Sequence, residues 1–162
     1  MEYLDLYDIH GNLLNKVIAR GDKNFEDGEY IKLAVIWLKC KDKYLIQKSS
    51  VEKGSDYAVT GGHVTTGFTS REQAVVELNE ELGITVDKDE LIYLGTIVRG
   101  SHAMFDVYLY EDDNLENTTF EYQVEEVESA KWYETNEIDE LIAKGLFRAS
   151  STLHYEKFIK NK

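Results

Sequence analysis

Three glutamates, Glu77, Glu80 and Glu81, lie three and four residues apart. On a helix that spacing places them on one face, and no Lys or Arg stands between Glu77 and Leu82 to pair with them. Like charges at these spacings repel, so a helix shaped only for stability would interleave bases. Several carboxylate oxygens in a small volume are what a hard divalent cation such as magnesium requires. A solvated acidic face on an acidic protein is the alternative that spacing alone leaves open. The helix itself is legible: Thr69 and Glu72 form a capping box, Gly83 closes the run, and neither Pro nor Gly interrupts it. Ala74, Val75, Leu78 and Leu82 supply its apolar stripe. Upstream, Gly61-Gly62 reads as a glycine turn whose carbonyls face the acids.

The elements that must position these residues can be read on either side. Glu2 to Ile9 and Leu13 to Ala19 form an N-terminal β-hairpin, at about residues 1–20, turned at His10-Gly11-Asn12. Arg20 to Tyr30 is a polar loop. Ile31 to Cys40 and Tyr44 to Gln47 look like a central antiparallel pair, and Tyr57 to Thr60 is a short strand feeding the glycine turn. Strands are predicted over Leu91 to Val98, over Met104 to Tyr110 and around Ala130 to Tyr133, with helices near Asn136 to Lys144 and Ser151 to Ile159. Strands on both sides of a helix, with more helix at the end, predict an α/β fold with a mixed β-sheet between helical layers in a single domain, 1–162.

Bulk properties narrow the function. A formal net charge of -13 with no basic stripe argues against nucleic acid polymers and anionic membranes as partners. The lone Cys40 cannot form an internal disulfide. No apolar run is long enough to span a bilayer, and Met1 is followed by EYLDLYD rather than a secretory signal, so the cytoplasm is the expected compartment.

The order of residues from Gly62 to Ile84 resembles the Nudix box, G-x5-E-x7-R-E-U-x-E-E-x-G-U. Gly62, Glu77, Leu78, Glu80, Glu81, Gly83 and Ile84 match, whereas Phe68 and Val76 stand where the signature has glutamate and arginine. The resemblance implies an α/β/α sandwich, bound Mg2+ or Mn2+, and hydrolysis of a diphosphate bridge in a small anionic, nucleoside-linked compound. It carries ligand roles onto Glu80 and Glu81, with Glu77 and the Gly61 carbonyl as further ligands. His63 adjoins the implied metal as a ligand or a phosphate contact. For the base that takes a proton from water, Glu77 and Glu81 are candidates in the box, and Glu125 and Glu126 on a later loop. Lys48, Lys53, Arg99, His102 and Tyr57 are candidate substrate contacts. Packing of Phe68 on Val76 is the expected replacement for the missing ion pair.

EYLDLYDIHGNLL, the RGD at Arg20 to Asp22, YLIQK at Tyr44 to Lys48 and GGHV at Gly61 to Val64 extend the resemblance, towards a bacterial subgroup related to isopentenyl diphosphate isomerase. That isomerase chemistry needs a cysteine where this chain has Gly61, and a histidine about where it has Lys32. The competing reading from another class is a catalytically inactive, nucleotide- or protein-binding module. A homodimer is compatible with the resemblance.

Overall fold

In the structure, a computed structural model that describes residues 1–161, the chain opens with a two-stranded ribbon. Strands β1 (Tyr3–Tyr7) and β2 (Leu13–Ala19) pair antiparallel. Asp8 makes the turn: its carboxylate accepts the backbone N–H groups of His10 and Asn12. Leu4, Leu6 and Ile18 bury the inner face against Phe25 and Ile31.

The main sheet contains β3 (Ile31–Cys40), β4 (Lys43–Ser49), β5 (Tyr57–Ala58) and β6 (Thr60–His63). After helix α1 (Ser70–Leu82) come β7 (Ile92–Arg99), β8 (Ala103–Glu111) and β9 (Val127–Tyr133). Helices α2 (Thr135–Ala143) and α3 (Ala149–His154) follow, the second continuing into a π-helical turn over Tyr155–Ile159. The path across the sheet is β5-β4-β3-β8-β7, with β6 also on β3 and β9 on β4. The β3–β8 pair is parallel and the others are antiparallel, so the sheet is mixed as predicted.

Two expectations about pairing give way. First, β3 and β4 meet only at their hairpin tip, Lys39↔Tyr44 and Cys40↔Lys43. Beyond it they part, and the segment from β5 to β6 pairs with β4 through Tyr57 and Ala58 and with β3 through Thr60 to His63. Second, Gly61 and Gly62 are not a turn. They lie within β6, opposite Val35 and Ala34. β9 also starts earlier than its apolar end indicates, at Val127.

Alternation along β3 divides the interior into two layers. Ala34, Ile36, Leu38 and Cys40 pack with Ala74, Leu78 and Leu82 of α1. Val35 and Trp37 face the opposite layer, with Ile138, Phe147, Tyr155 and Ile159. Helix on sheet on helix is the α/β/α arrangement. No helix among the described residues is long and apolar enough to cross a membrane.

His154 lies in the second layer, 1% exposed, against the ring of Phe105 at 4.9 Å. Neither ring nitrogen has a hydrogen-bond partner. Burial, reinforced by Arg99, lowers its pKa from 6.5 to about 4. Protonation therefore favours the unfolded chain, so the stabilisation is intact above pH 6.5 and is lost as pH falls towards 4. The expected loss over that window is about 3 kcal/mol. Urea unfolding at pH 7, 5 and 4 should show a shallower decline for His154→Phe than for the wild type, and parallel declines would exclude this residue as the source.

Candidate active site

α1 begins and ends as its sequence requires. Thr69 Oγ1 accepts the N–H of Glu72 at 3.1 Å while the Glu72 carboxylate accepts that of Thr69 at 3.0 Å. Gly83 takes the left-handed conformation, φ 72°, that closes the helix. With Leu78 and Leu82 buried, Glu77, Glu80 and Glu81 are directed to one cleft of about 450 Å3, which Gly61, Gly62, His63 and Glu126 also line.

The two glycines set the floor of that cleft. A Cβ on Gly61 would come within 2.8 Å of the Ala34 carbonyl oxygen. A Cβ on Gly62 would overlap the carboxylate of Glu77. Glu77 is held there by Gln73, whose Nε2 donates to Glu77 Oε1 at 3.0 Å. The side-chain oxygen Oε1 of Gln73 in turn accepts the N–H of Thr65 at 3.1 Å and the Thr65 hydroxyl at 3.0 Å. One glutamine thus fixes both the loop and the acid.

Glu81 is the deepest of the acids, 8% exposed. Burial, then the neighbouring Glu77 and Glu126 carboxylates, push its pKa up to about 8, against the Gly61 N–H and the Gln47 side chain, which favour its charged form. Glu77 is also raised, first by burial and then by Glu80, with Gln73 and Arg20 opposing. Glu80 is exposed at the rim.

Glu126 reaches the cleft on a loop tied from both sides. Gln123 N–H donates to the Glu81 carbonyl at 3.2 Å, and Ser50 N–H to the Glu126 carbonyl at 3.0 Å. Its carboxylate pairs with Lys53 at 3.3 Å. A smaller recess of about 130 Å3 joins here, shared by Gln47, Lys53, Gly61, Glu81, Glu126 and Arg148.

The other predicted residues divide. Glu125 is exposed and contributes only its carbonyl, to Ser50 Oγ at 2.8 Å. Lys48 and Tyr57 are not brought to the acids: Lys48 pairs with Glu128 at 3.2 Å, and Tyr57 meets Tyr133 edge-on in the opposite layer. The reason is parity, because Gln47 faces α1 and its neighbour must face away. Arg99 and His102 line a different cavity, which shares His63 with this one. Burial lowers the pKa of His63, with Arg20 and Lys23 adding to the effect and Glu2 opposing it. Phe68 is 43% exposed and, like Val76, lines the cleft without joining either core cluster. The loop is fastened by Gln73, by the capping box and by Asp5, which accepts the Gly67 N–H at 3.1 Å.

Sequence reasoning passed over Gln47, Gln73, Arg20 and Arg148. Gln47 and Gln73 carry a signal in hindsight: each is a polar residue on an otherwise apolar face. Arg148, which forks onto Asp56 at 2.7 and 2.9 Å, has none.

Among the described residues no three acidic, histidine or cysteine side chains already converge as a closed metal cage. The donor set is nevertheless oxygen-rich and short of positive charge, and a divalent cation would offset the burial and the repulsion that raise Glu81. The residues fit a hard cation held partly by carboxylates and partly by water.

A family model described as the NUDIX domain matches residues 31–154, starting after the ribbon. An uncharacterized Nudix hydrolase of Listeria monocytogenes is 28% identical over 155 residues, covering 91% of this chain and 88% of its own. A crystal structure from Deinococcus radiodurans superposes with a TM-score of 0.76 at 20% identity, over 96% of this chain and 98% of that one. A bifunctional NMN adenylyltransferase/ADP ribose pyrophosphatase of Francisella tularensis, complexed with AMP and a manganese ion, gives 0.58 at 15% identity, over 79% of this chain and 42% of that one.

A carboxyl group whose pKa is raised by folding stabilises fully below its unfolded value of 4.5 and loses that contribution as pH rises towards 8. In EDTA at pH 8, Glu81→Gln is therefore expected to be more stable than the wild type, by about 4 kcal/mol. Manganese should raise the melting temperature of the wild type and leave that of the variant unchanged. A variant no more stable than the wild type in EDTA would show that the fold accommodates the ionised carboxylate without penalty.

Proposed function

The chain belongs to the Nudix family, and from that premise we propose that it is a metal-dependent hydrolase that cleaves a diphosphate linkage in a small nucleoside diphosphate-linked compound. The observation that carries this reading is the cleft itself: Glu77, Glu80, Glu81 and Glu126 meet over a glycine floor that only an absent Cβ permits.

Glu81, Glu80 and Glu77 would hold Mg2+ or Mn2+ together with the Gly61 carbonyl. When bound, that ion supplies charge neutralisation at the diphosphate oxygens and a water of lowered pKa. The chain's own residues do the rest. Gln73 aims Glu77, while Gln47 and the Gly61 N–H favour the charged form of Glu81. Glu126, placed by the loop before β9 and restrained by Lys53, is the acid best situated to take the proton from the attacking water. Lys53 and Arg148 flank the recess beside Glu81 and Arg20 borders the cleft, so these are the cations available to a diphosphate oxygen.

The likeness to isopentenyl diphosphate isomerase finds no support among these relatives. Lys32 points away from the cleft and is bound to Asp106 at 3.1 Å, so neither it nor Gly61 offers what that chemistry needs. Phe68 and Val76 leave the cleft without the ion pair of the signature, yet its acids are positioned by other groups. That favours an enzyme over an inactive module.

Turnover should be measured on ADP-ribose, nucleoside triphosphates, dinucleoside polyphosphates and isopentenyl diphosphate, with magnesium and with manganese. Glu81→Gln is expected to lose at least about a hundredfold in kcat. Glu126→Gln should fall comparably while Glu125→Gln stays near wild type. If folded wild type turns over nothing, or Glu81→Gln retains full rate, the hydrolase reading fails and the binding module takes its place.

A further inference from the structure

The acidic cleft has a basic neighbour. A cavity of about 510 Å3 lies between the N-terminal ribbon and the turn joining β7 to β8. Three cationic side chains line it, Arg20, Lys23 and Arg99, in a chain with 31 acids against 18 Lys and Arg. Among the described residues no carboxylate lies within ion-pair distance of Lys23 or Arg99, while Arg20 holds Glu2 at 2.7 Å. Asp22 also faces the cavity, but its carboxylate is engaged in turning the loop, accepting the Asn24 N–H at 2.9 Å.

The loop that carries Arg20 and Lys23 is pinned. Phe25 stacks on the His102 ring with centroids 4.7 Å apart and planes 10° from parallel. His102 Nδ1 is 2.8 Å from the Glu29 carbonyl oxygen. Glu29, itself buried, accepts the Glu26 N–H at 2.9 Å and pairs with Lys16. Leu4, Ile18 and Ile31 make the floor apolar, and Arg20, Lys23 and Arg99 stand exposed around it. Arg20 and His63 line this cavity and the acidic cleft alike, so one small molecule can occupy both.

We propose that this cavity is an anion pocket, binding a phosphate monoester carried by the part of the substrate remote from the scissile diphosphate. Two guanidinium forks and an ammonium suit a compact dianion with several acceptor oxygens. The acids, by contrast, repel any phosphate that no cation accompanies. The link to a substrate rests on the hydrolase reading, whereas the pocket itself does not.

The two can be tested apart. The labelled full chain, in EDTA, is titrated with inorganic phosphate at constant ionic strength and followed by amide chemical shifts. Saturable shifts at Gly21, Lys23, Gly100 and Ser101, with an apparent Kd below about 10 mM, are expected. The double variant Lys23→Gln/Arg99→Gln should weaken that binding at least tenfold, and Glu81→Gln should leave it in place. No saturation, shifts centred instead on Gly62 and Glu77, or unchanged affinity in the double variant would each overturn the pocket. Once a diphosphate compound is known to be turned over, the same double variant should lower the kcat/KM preference for its remotely phosphorylated form at least tenfold. An unchanged preference would overturn the link to the substrate and leave the pocket standing on the titration. If nothing is turned over, it is the hydrolase reading that falls, and the titration still decides the pocket.

Discussion

The structure depends on how closely helix α1 approaches strand β6. Glu77 can lie against the strand only because Gly62 has no side chain, and β6 can lie against β3 only because Gly61 leaves the Ala34 carbonyl unobstructed. A strand is an unusual place for adjacent glycines, since they weaken it and pack nothing. Here the gap left by two missing side chains is where the carboxylates meet. The segment from β5 to β6 is held at both ends, by β4 and by β3, so the floor does not rely on the glycines for its rigidity.

That approach explains why α1 was legible and β6 was not. The limits of α1 follow from local chemistry, a capping box, an apolar stripe and a left-handed glycine, and all three act within a few residues. Gly61-Gly62 reads as a turn by the same local logic, because glycine pairs commonly serve turns. What makes the pair a strand is contact with Glu77 and Ala34, which are distant in sequence. The parallel pairing of β3 with β8 escaped for the same reason: hairpin-length spacing points to β4, whereas the long register with β8 is decided by the packing of both layers.

Among the site residues, those on α1 were legible because helical spacing fixes a face. Lys48 and Tyr57 were read by their neighbourhood in sequence, and strand parity sends them to the other side. Glu125 and Glu126 diverge within one turn, the second lining the cleft and the first exposed to solvent. Gln73 shows what a family signature does not include: a neutral amide bridging Thr65 and Glu77 holds the loop in a chain where Phe68 and Val76 replace the glutamate and arginine of the signature. Replacing a charged brace by a neutral one removes both the desolvation penalty of a partly buried pair and a fixed positive charge beside the acids.

Losing that positive charge has an electrostatic consequence. With an arginine in place of Val76, the cleft would contain a permanent counter-charge to its glutamates. Without one, the field inside the cleft is more negative, and the affinity for a divalent cation should depend more steeply on how many of the acids are ionised. Arg20 borders the cleft and the neighbouring cavity alike, and the remaining positive charge, Lys23 and Arg99, lies on the far side of His63 around that cavity. An elongated anion with charge at both ends would then be oriented by the two fields together: its bridging phosphates would need a cation to enter among the acids, and its remote end would need none. Orientation by opposed fields narrows the poses available before any specific contact forms, and it does so in a protein whose overall charge repels longer polyanions.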